Sequence, residues 1–299
     1  MIRTAIIFLL SLTIAFNSFC QDSTGVNKKR LKSVIITESV MYVGIMAGLS
    51  TQWYSENEQS SFHFFNDNRQ WLQMDKLGHL ASAYQTGKMG IDVLKWSGVE
   101  NKKAAYFGGA LGLAFLSGVE VLDGFSSEWG FSWGDMAANT LGASLAISQE
   151  LLFKKQIAIV KFSYHSTEFP DYRPEVLGES RGSSILKDYN GQTYWLSLNL
   201  KDITGVSAMP EWLSVSGGYS ATGMFGGSNN PAFSSSGTAI PLVKRYRQYY
   251  LSLDIDLERI PTKSKVLKTA FKALNFIKIP MPTLRFQDGK GVTFYPIYF

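Results

Sequence analysis

Residues 104–122 read AAYFGGALGLAFLSGVEVL, an apolar stretch interrupted by Glu120 and long enough as a helix to cross a bilayer. Gly108 and Gly112 stand four apart, a spacing that lets a second helix come into backbone contact. Working outward, apolar or amphipathic segments at 33–50, 77–96 and 136–153 carry the same helical character, so about four helices are expected between residues 34 and 153. Beyond residue 192 the apolar period changes to two. YWLSLNL (194–200), LSVSGGYS (213–220) and YYLSLDIDL (249–257) alternate as strands with one apolar face. TLRF (283–286) and VTFYPIYF (292–299) add two more, with Asp288 and Gly289 as a hairpin turn between them. The expected class is α+β: a helical bundle followed by an antiparallel β region with one amphipathic helix. Residues 1–20 read as a signal peptide, 21–160 as the helical domain, 161–192 as a linker and 193–299 as the β-rich region. The linker reading rests on Pro170, Pro174, Gly178 and Gly182 in a polar stretch. The Gly/Ser-rich run 216–239 is expected to be a mobile loop.

With 299 residues, 45% of them hydrophobic, the chain can bury a large core, which excludes disorder for most of it. The net charge of +5 is uneven: residues 151–299 carry 18 Lys+Arg against 11 Asp+Glu, and residues 1–150 carry 11 against 13. The second half suits an anionic surface, but no recognition motif accompanies its basic residues, so nucleic acid is not an expected partner. Arg3, the apolar stretch 6–16 and the pair Ser18 and Cys20 have the layout of a secretory signal cleaved near Gln21. Cys20 is the sole cysteine, so no intramolecular disulfide forms. Phe19 and Asn17 stand where a lipid-attachment sequence wants small and aliphatic residues, which favours cleavage without lipidation. Lys28, Lys29, Arg30 and Lys32 then fall on the exported side, opposite to the bias of inner-membrane proteins. An exported location, periplasmic or outer-membrane, is expected, with the inner membrane as the alternative should the signal stay uncleaved.

Two features point to a membrane partner. The chain ends in Tyr298 and Phe299 on an amphipathic strand, as outer-membrane barrels do, although several strands fall short of the roughly 9 to 11 residues a spanning strand needs. Within 262–276, Leu267, Ala270, Phe271 and Leu274 share one helical face while Lys265, Lys268 and Lys272 share another, the form of an interfacial helix or of a surface helix with a solvated lysine face.

Ionisable groups inside apolar helices cost free energy unless paired. Asp75 and His79, four apart, read as a base with its orienting partner, as two ligands of a divalent metal, or as a helix cap beside a core histidine. Glu120 and Asp123 lie at a helix C-terminus, where the macrodipole disfavours them, so Lys76, a protonated His79 or a metal is expected to face them unless the turn is solvated. Ser132 and Asp135 resemble a capping pair, and Asn139 needs amide partners among apolar neighbours. Phe125, Trp129, Phe131 and Trp133 would form an interface belt, a lid or an aromatic core corner.

Asp-Lys-x-x-His at 75–79, Glu-x-x-Asp at 120–123 and Ser-x-x-Asp-x-x-x-Asn-x-x-Gly at 132–142 resemble the YfiM-type family of periplasmic lipoproteins and the wider VanZ-like proteins. The resemblance spans about residues 33–153 and implies an envelope role without naming a reaction. VanZ-like proteins have glutamine where Asp123 stands and an arginine before the final aspartate, and 124–134 contain no arginine.

The sequence favours a structural or binding envelope component whose polar residues lock helix register. The alternative is a metal-dependent or acid/base enzyme acting on an envelope lipid or glycan intermediate. There His79 would be base or ligand and Asp75 its orienter, Glu120, Asp123 and Asp135 would be ligands or acids, and Lys76, Asn139, Trp129 and Trp133 would contact substrate. One histidine among carboxylates suits a hard or borderline divalent cofactor.

Overall fold

The structure is a computed structural model that describes residues 25–52 and 59–298. The signal-like segment and Cys20 lie outside the described residues. The chain forms two compact units: Met1–Asp67 with Ser82–Lys155, and Asn68–Ala81 with Gln156–Phe299.

The helical unit contains α1 (Lys28–Gln52), the greater part of α2 (Met74–Trp96), α3 (Asn101–Asp123) and α4 (Trp133–Phe153). These are the four helices expected from periodicity. Glycines make the seam between α2 and α3. A Cβ on Gly112 would meet the Ala83 carbonyl oxygen at 2.0 Å, and one on Gly108 the Ile91 nitrogen at 2.3 Å. Leu31 and Val34 of α1 pack on Leu94 and Ala104, and the Arg30 guanidinium lies 4.7 Å over the Trp96 ring. The remainder of α1 leaves Ile36, Val40, Met41 and Val43 exposed. Among the described residues, two helical stretches, Lys28–Gly48 and Asn101–Asp123, are long and apolar enough to cross a membrane.

The second unit is a six-stranded antiparallel meander in the order β1-β2-β3-β4-β5-β6: β1 (Ala158–Tyr164), β2 (Gln192–Asn199), β3 (Leu213–Thr222), β4 (Tyr246–Ile255), β5 (Met281–Gln287) and β6 (Gly291–Tyr298). The basic helix α5 (Lys265–Leu274) precedes β5, and Asp288 and Gly289 (φ +73°) turn β5 into β6 as expected. Two expectations need correction. The segment 161–192 holds most of β1 and three one-turn or two-turn helices rather than a plain linker. Its strand went unread because the inward residues of β1, Lys161 and Ser163, are polar. The run 216–239 begins as the second half of β3, and the loop after it is pinned by Asn230, which accepts from Phe225 N at 2.9 Å and donates to Gly223 O at 2.7 Å.

The alternation of the sheet is inverted. Along β4, Gln248, Tyr250, Ser252 and Asp254 are buried, while Tyr249, Leu251 and Leu253 are exposed. On β2, Thr193, Trp195, Ser197 and Asn199 are buried and Leu196 is exposed. The sheet curls around its polar face: the Tyr298 hydroxyl of β6 donates to that of Tyr250 at 2.8 Å, and its ring lies 6.0 Å from that of Trp195. The free edge of β1 is covered by the chain entering β5, with Phe162 N donating to Phe276 O and Lys278 N to Phe162 O, both at 2.8 Å.

Candidate functional site

In the helical unit the expected acids gather where α3 ends and α4 begins. Ser132 is the N-cap of α4, its hydroxyl accepting from Asp135 N at 3.2 Å and donating to Asp67 Oδ1 at 2.6 Å. Its own backbone N–H donates to Glu120 Oε2 at 3.1 Å. A serine at this position satisfies an orphan helix donor, and the buried Glu120 carboxylate is held by a backbone amide. The pairing of Ser132 with Asp135 expected from sequence is therefore present as a cap. Asp135 and Asn139 are buried on α4, and Asp123 is half-buried in the last turn of α3. Further along the helices, Lys95 and Glu150 join α2 to α4 with a 2.6 Å ion pair.

The aromatic loop is an exposed cluster. Phe62 packs edge-on against Phe125 (5.2 Å) and Phe64 (5.4 Å), and Trp133 stacks on Phe64 (6.0 Å) and meets Phe131 (5.1 Å). Trp133 is 68% exposed and Phe64 60%. Phe62 and Phe64 were not singled out from sequence. They are brought to the loop by a short backbone ladder, in which His63 N donates to Gly124 O and Phe131 N to His63 O.

Asp75, Lys76 and His79 occupy the first turns of α2, which belong to the sheet unit. The His79 Nε2 stands 3.9 Å from Asp75 Oδ1, and Lys76 Nζ lies 3.2 Å from Asp75 Oδ2. The Tyr189 hydroxyl donates to Asp75 Oδ1 at 2.8 Å. Tyr194 projects toward Gly78, where a Cβ would sit 3.0 Å from its hydroxyl. Burial first, and then the Asp75 carboxylate, raises the Tyr194 pKa above the ordinary phenol value, so it stays a protonated donor to Gln192 Oε1.

Sequence reasoning missed the turn that delivers these groups. Trp71, Leu72 and Gln73 have φ of +48°, +50° and +67°, left-handed values that non-glycine residues adopt at a cost of roughly 1–2 kcal/mol each. The sheet unit holds them there. Trp71 N donates to Gly227 O at 2.8 Å, the Tyr219 hydroxyl donates to Leu72 O, and Arg247 donates to Gln73 Oε1 at 2.6 Å. No glycine or asparagine marks the turn, so only its tertiary partners reveal it. The other missed feature is the polar centre of the sheet, where Lys161 Nζ lies 2.9 Å from Asp254 Oδ2, Lys278 Nζ 3.7 Å from Asp254 Oδ1, and Ser197 donates to Asp254 at 2.6 Å. Alternation was the available signal, with the polar partner of each apolar residue pointing inward.

Residues 63–151 match the family model described as "Predicted periplasmic lipoprotein (DUF2279)". No curated protein and no solved structure matches the chain. The matched region runs from the aromatic ladder to α4 and includes Asp75, His79, Glu120, Asp135 and Asn139; β1 to β6 lie outside it. The match supports an exported, cell-envelope location and a lipoprotein-type family of unknown function.

Proposed function

We propose that this protein is a structural or binding component of the cell envelope, of the YfiM-type and VanZ-like kind, in which the acids of the helical unit fix the junction of α3 and α4. The observation that carries this reading is Ser132, which caps α4 while joining Asp67, Asp135 and Glu120. Each of these three bonds orders backbone or closes the junction, as expected of a polar network that specifies one helix register. A membrane surface is the proposed partner. The test is substitution with folding monitored. Ser132→Ala should lower stability by about 1 kcal/mol, the usual loss for a cap, and Glu120→Ala should reduce abundance in the envelope. If Asp135→Asn and His79→Ala instead abolish an envelope phenotype at unchanged abundance and melting temperature, the structural reading fails.

A second reading, an acid/base or metal-dependent enzyme acting on an envelope lipid or glycan intermediate, draws on Asp75 and His79. The strained turn at Trp71–Gln73 favours it, because strain of this kind concentrates at functional sites. Asp75, oriented by Tyr189, could steer the His79 ring as a base or share a divalent ion with it. Elemental analysis of purified protein tests the metal form: a stoichiometric divalent ion that is lost in His79→Ala would support it.

A further inference from the structure

We infer that the outer wall of the sheet and the helix α5 face a lipid bilayer with an anionic surface, hydrocarbon lying against the strands and headgroups against the lysines. This goes beyond the envelope reading and does not depend on the helical unit.

A one-sided antiparallel sheet in water turns its apolar face to a core and its polar face to solvent. Here the assignment is reversed on β2, β4 and β5, and β6 also presents apolar residues outward. Leu196, Leu251, Phe286 and Phe294 point outward and are exposed, and Ile297 of β6 is 65% exposed. Inward positions carry Ser197, Ser252, Thr283 and Gln287, all buried. Polar-in and apolar-out is the pattern of barrels whose outer solvent is lipid.

The polar side is an interior hydrogen-bonded largely within itself, although Ser216 Oγ, Arg285 Nε and Gln287 Nε2 are buried without a hydrogen-bond partner among the described residues. Lys161 and Asp254 have fully buried side chains. Lys161 also donates to Ile255 O at 2.7 Å, and Lys278 donates to Leu253 O and Ile279 O at 2.8 Å each. Thr283 bonds Ser252 at 2.9 Å and Gln248 bonds Gln287 at 2.7 Å. With that side filled, the outer wall is left as the interacting surface. The pairing of Phe162 with the chain at Phe276 and Lys278 also covers the β1 edge at that residue.

The occupant is indicated by α5. None of its residues is buried, so Val266, Leu267 and Leu274 have no core to enter. Lys265, Lys268 and Lys272 line its other face, and 262–276 contain no acid. An exposed apolar stripe beside a lysine stripe complements an interface of acyl chains and anionic headgroups. The helix runs through Phe276 and Ile277, both exposed, directly into the pairing with β1, which joins it to the wall.

The test uses the full chain in a Cys20→Ser background, with nitroxide labels at Leu251→Cys and Phe294→Cys and Ile297→Cys as a further outward site should either lose its sheet circular dichroism. Labelled protein is bound to vesicles of phosphatidylcholine with or without phosphatidylglycerol, and collisions with oxygen and with an aqueous nickel complex are compared. The expected result is oxygen access exceeding nickel access at the outward sites. Lys265→Glu with Lys268→Glu and Lys272→Glu should abolish the gain in binding from phosphatidylglycerol while the sheet signal is retained. Nickel access exceeding oxygen access in vesicle-bound protein, or no association with either vesicle, would overturn the inference. The envelope reading fails separately, by recovery of the chain in the cytoplasmic fraction.

Discussion

Gly112→Ala probes the seam between α2 and α3. The added Cβ would lie 2.0 Å from the Ala83 carbonyl oxygen, against an ordinary contact of 3.4 Å or more, so the two backbones must part by about 1.4 Å. Neither atom belongs to a flexible side chain that could rotate away. Gly108, Gly90 and Gly87 close the same seam, at 2.3 Å from Ile91 N, 2.5 Å from Gly108 O and 2.7 Å from Gly109 O, so separation at one point loosens all of them. Overpacking costs about 1–3 kcal/mol or more, and the intrinsic preference of alanine over glycine in a helix returns up to ~1 kcal/mol. The net expectation is a loss of ~2 kcal/mol, which corresponds to a melting temperature lower by roughly 4–8 °C. Gly44→Ala on α1 is the matched control, since its Cβ meets nothing within 4 Å, and it should be neutral or stabilising by up to ~1 kcal/mol. Thermal melts of both variants followed by helical circular dichroism give the comparison. A Gly112→Ala protein as stable as Gly44→Ala would refute the close-packed seam.

Asp254→Asn should destabilise the sheet unit by about 3–5 kcal/mol, read from the urea midpoint, because Lys161 and Lys278 lose the carboxylate that faces them. Adding Lys161→Met to that variant should recover part of the loss. Burial first, and then Arg285, lowers the pKa of His165 below 6.5, while Asp188 acts in the opposite sense. The fold therefore holds the neutral ring: its contribution is complete above 6.5 and declines as pH falls from 6.5 toward the lowered value. His165→Gln should flatten that part of the stability profile, measured by urea unfolding in buffers on either side of 6.5.

The helices were legible because their apolar spacing and the Gly108 and Gly112 pair are local properties, and the glycine pair proved to be a backbone contact. The strands were legible for the same reason, down to the turn at Asp288 and Gly289. Period two reveals that a strand has two faces but not which one is inside. Reading the apolar face as the core therefore missed β1, whose inward Lys161 and Ser163 break no rule of an inverted sheet. The candidate site was legible only as helical spacing. Asp75 and His79 do share a face, and Ser132 does cap α4, but Tyr189 reaches Asp75 from 114 residues downstream. The turn at Trp71–Gln73 depends on partners in β3 and β4 that no local pattern announces. The division of the expected acids between two compact units is likewise a consequence of topology, since α2 starts in one unit and continues in the other.

The most direct measurement is thiol accessibility in isolated envelope membranes. With Cys20→Ser as background, Leu251→Cys and Leu253→Cys place reactive groups on outward positions of β4, each more than two-fifths exposed. A lipid-facing wall predicts that a membrane-impermeant maleimide leaves both unmodified until detergent or urea is added. Rapid modification of both thiols in untreated membranes, with the sheet intact, would contradict it.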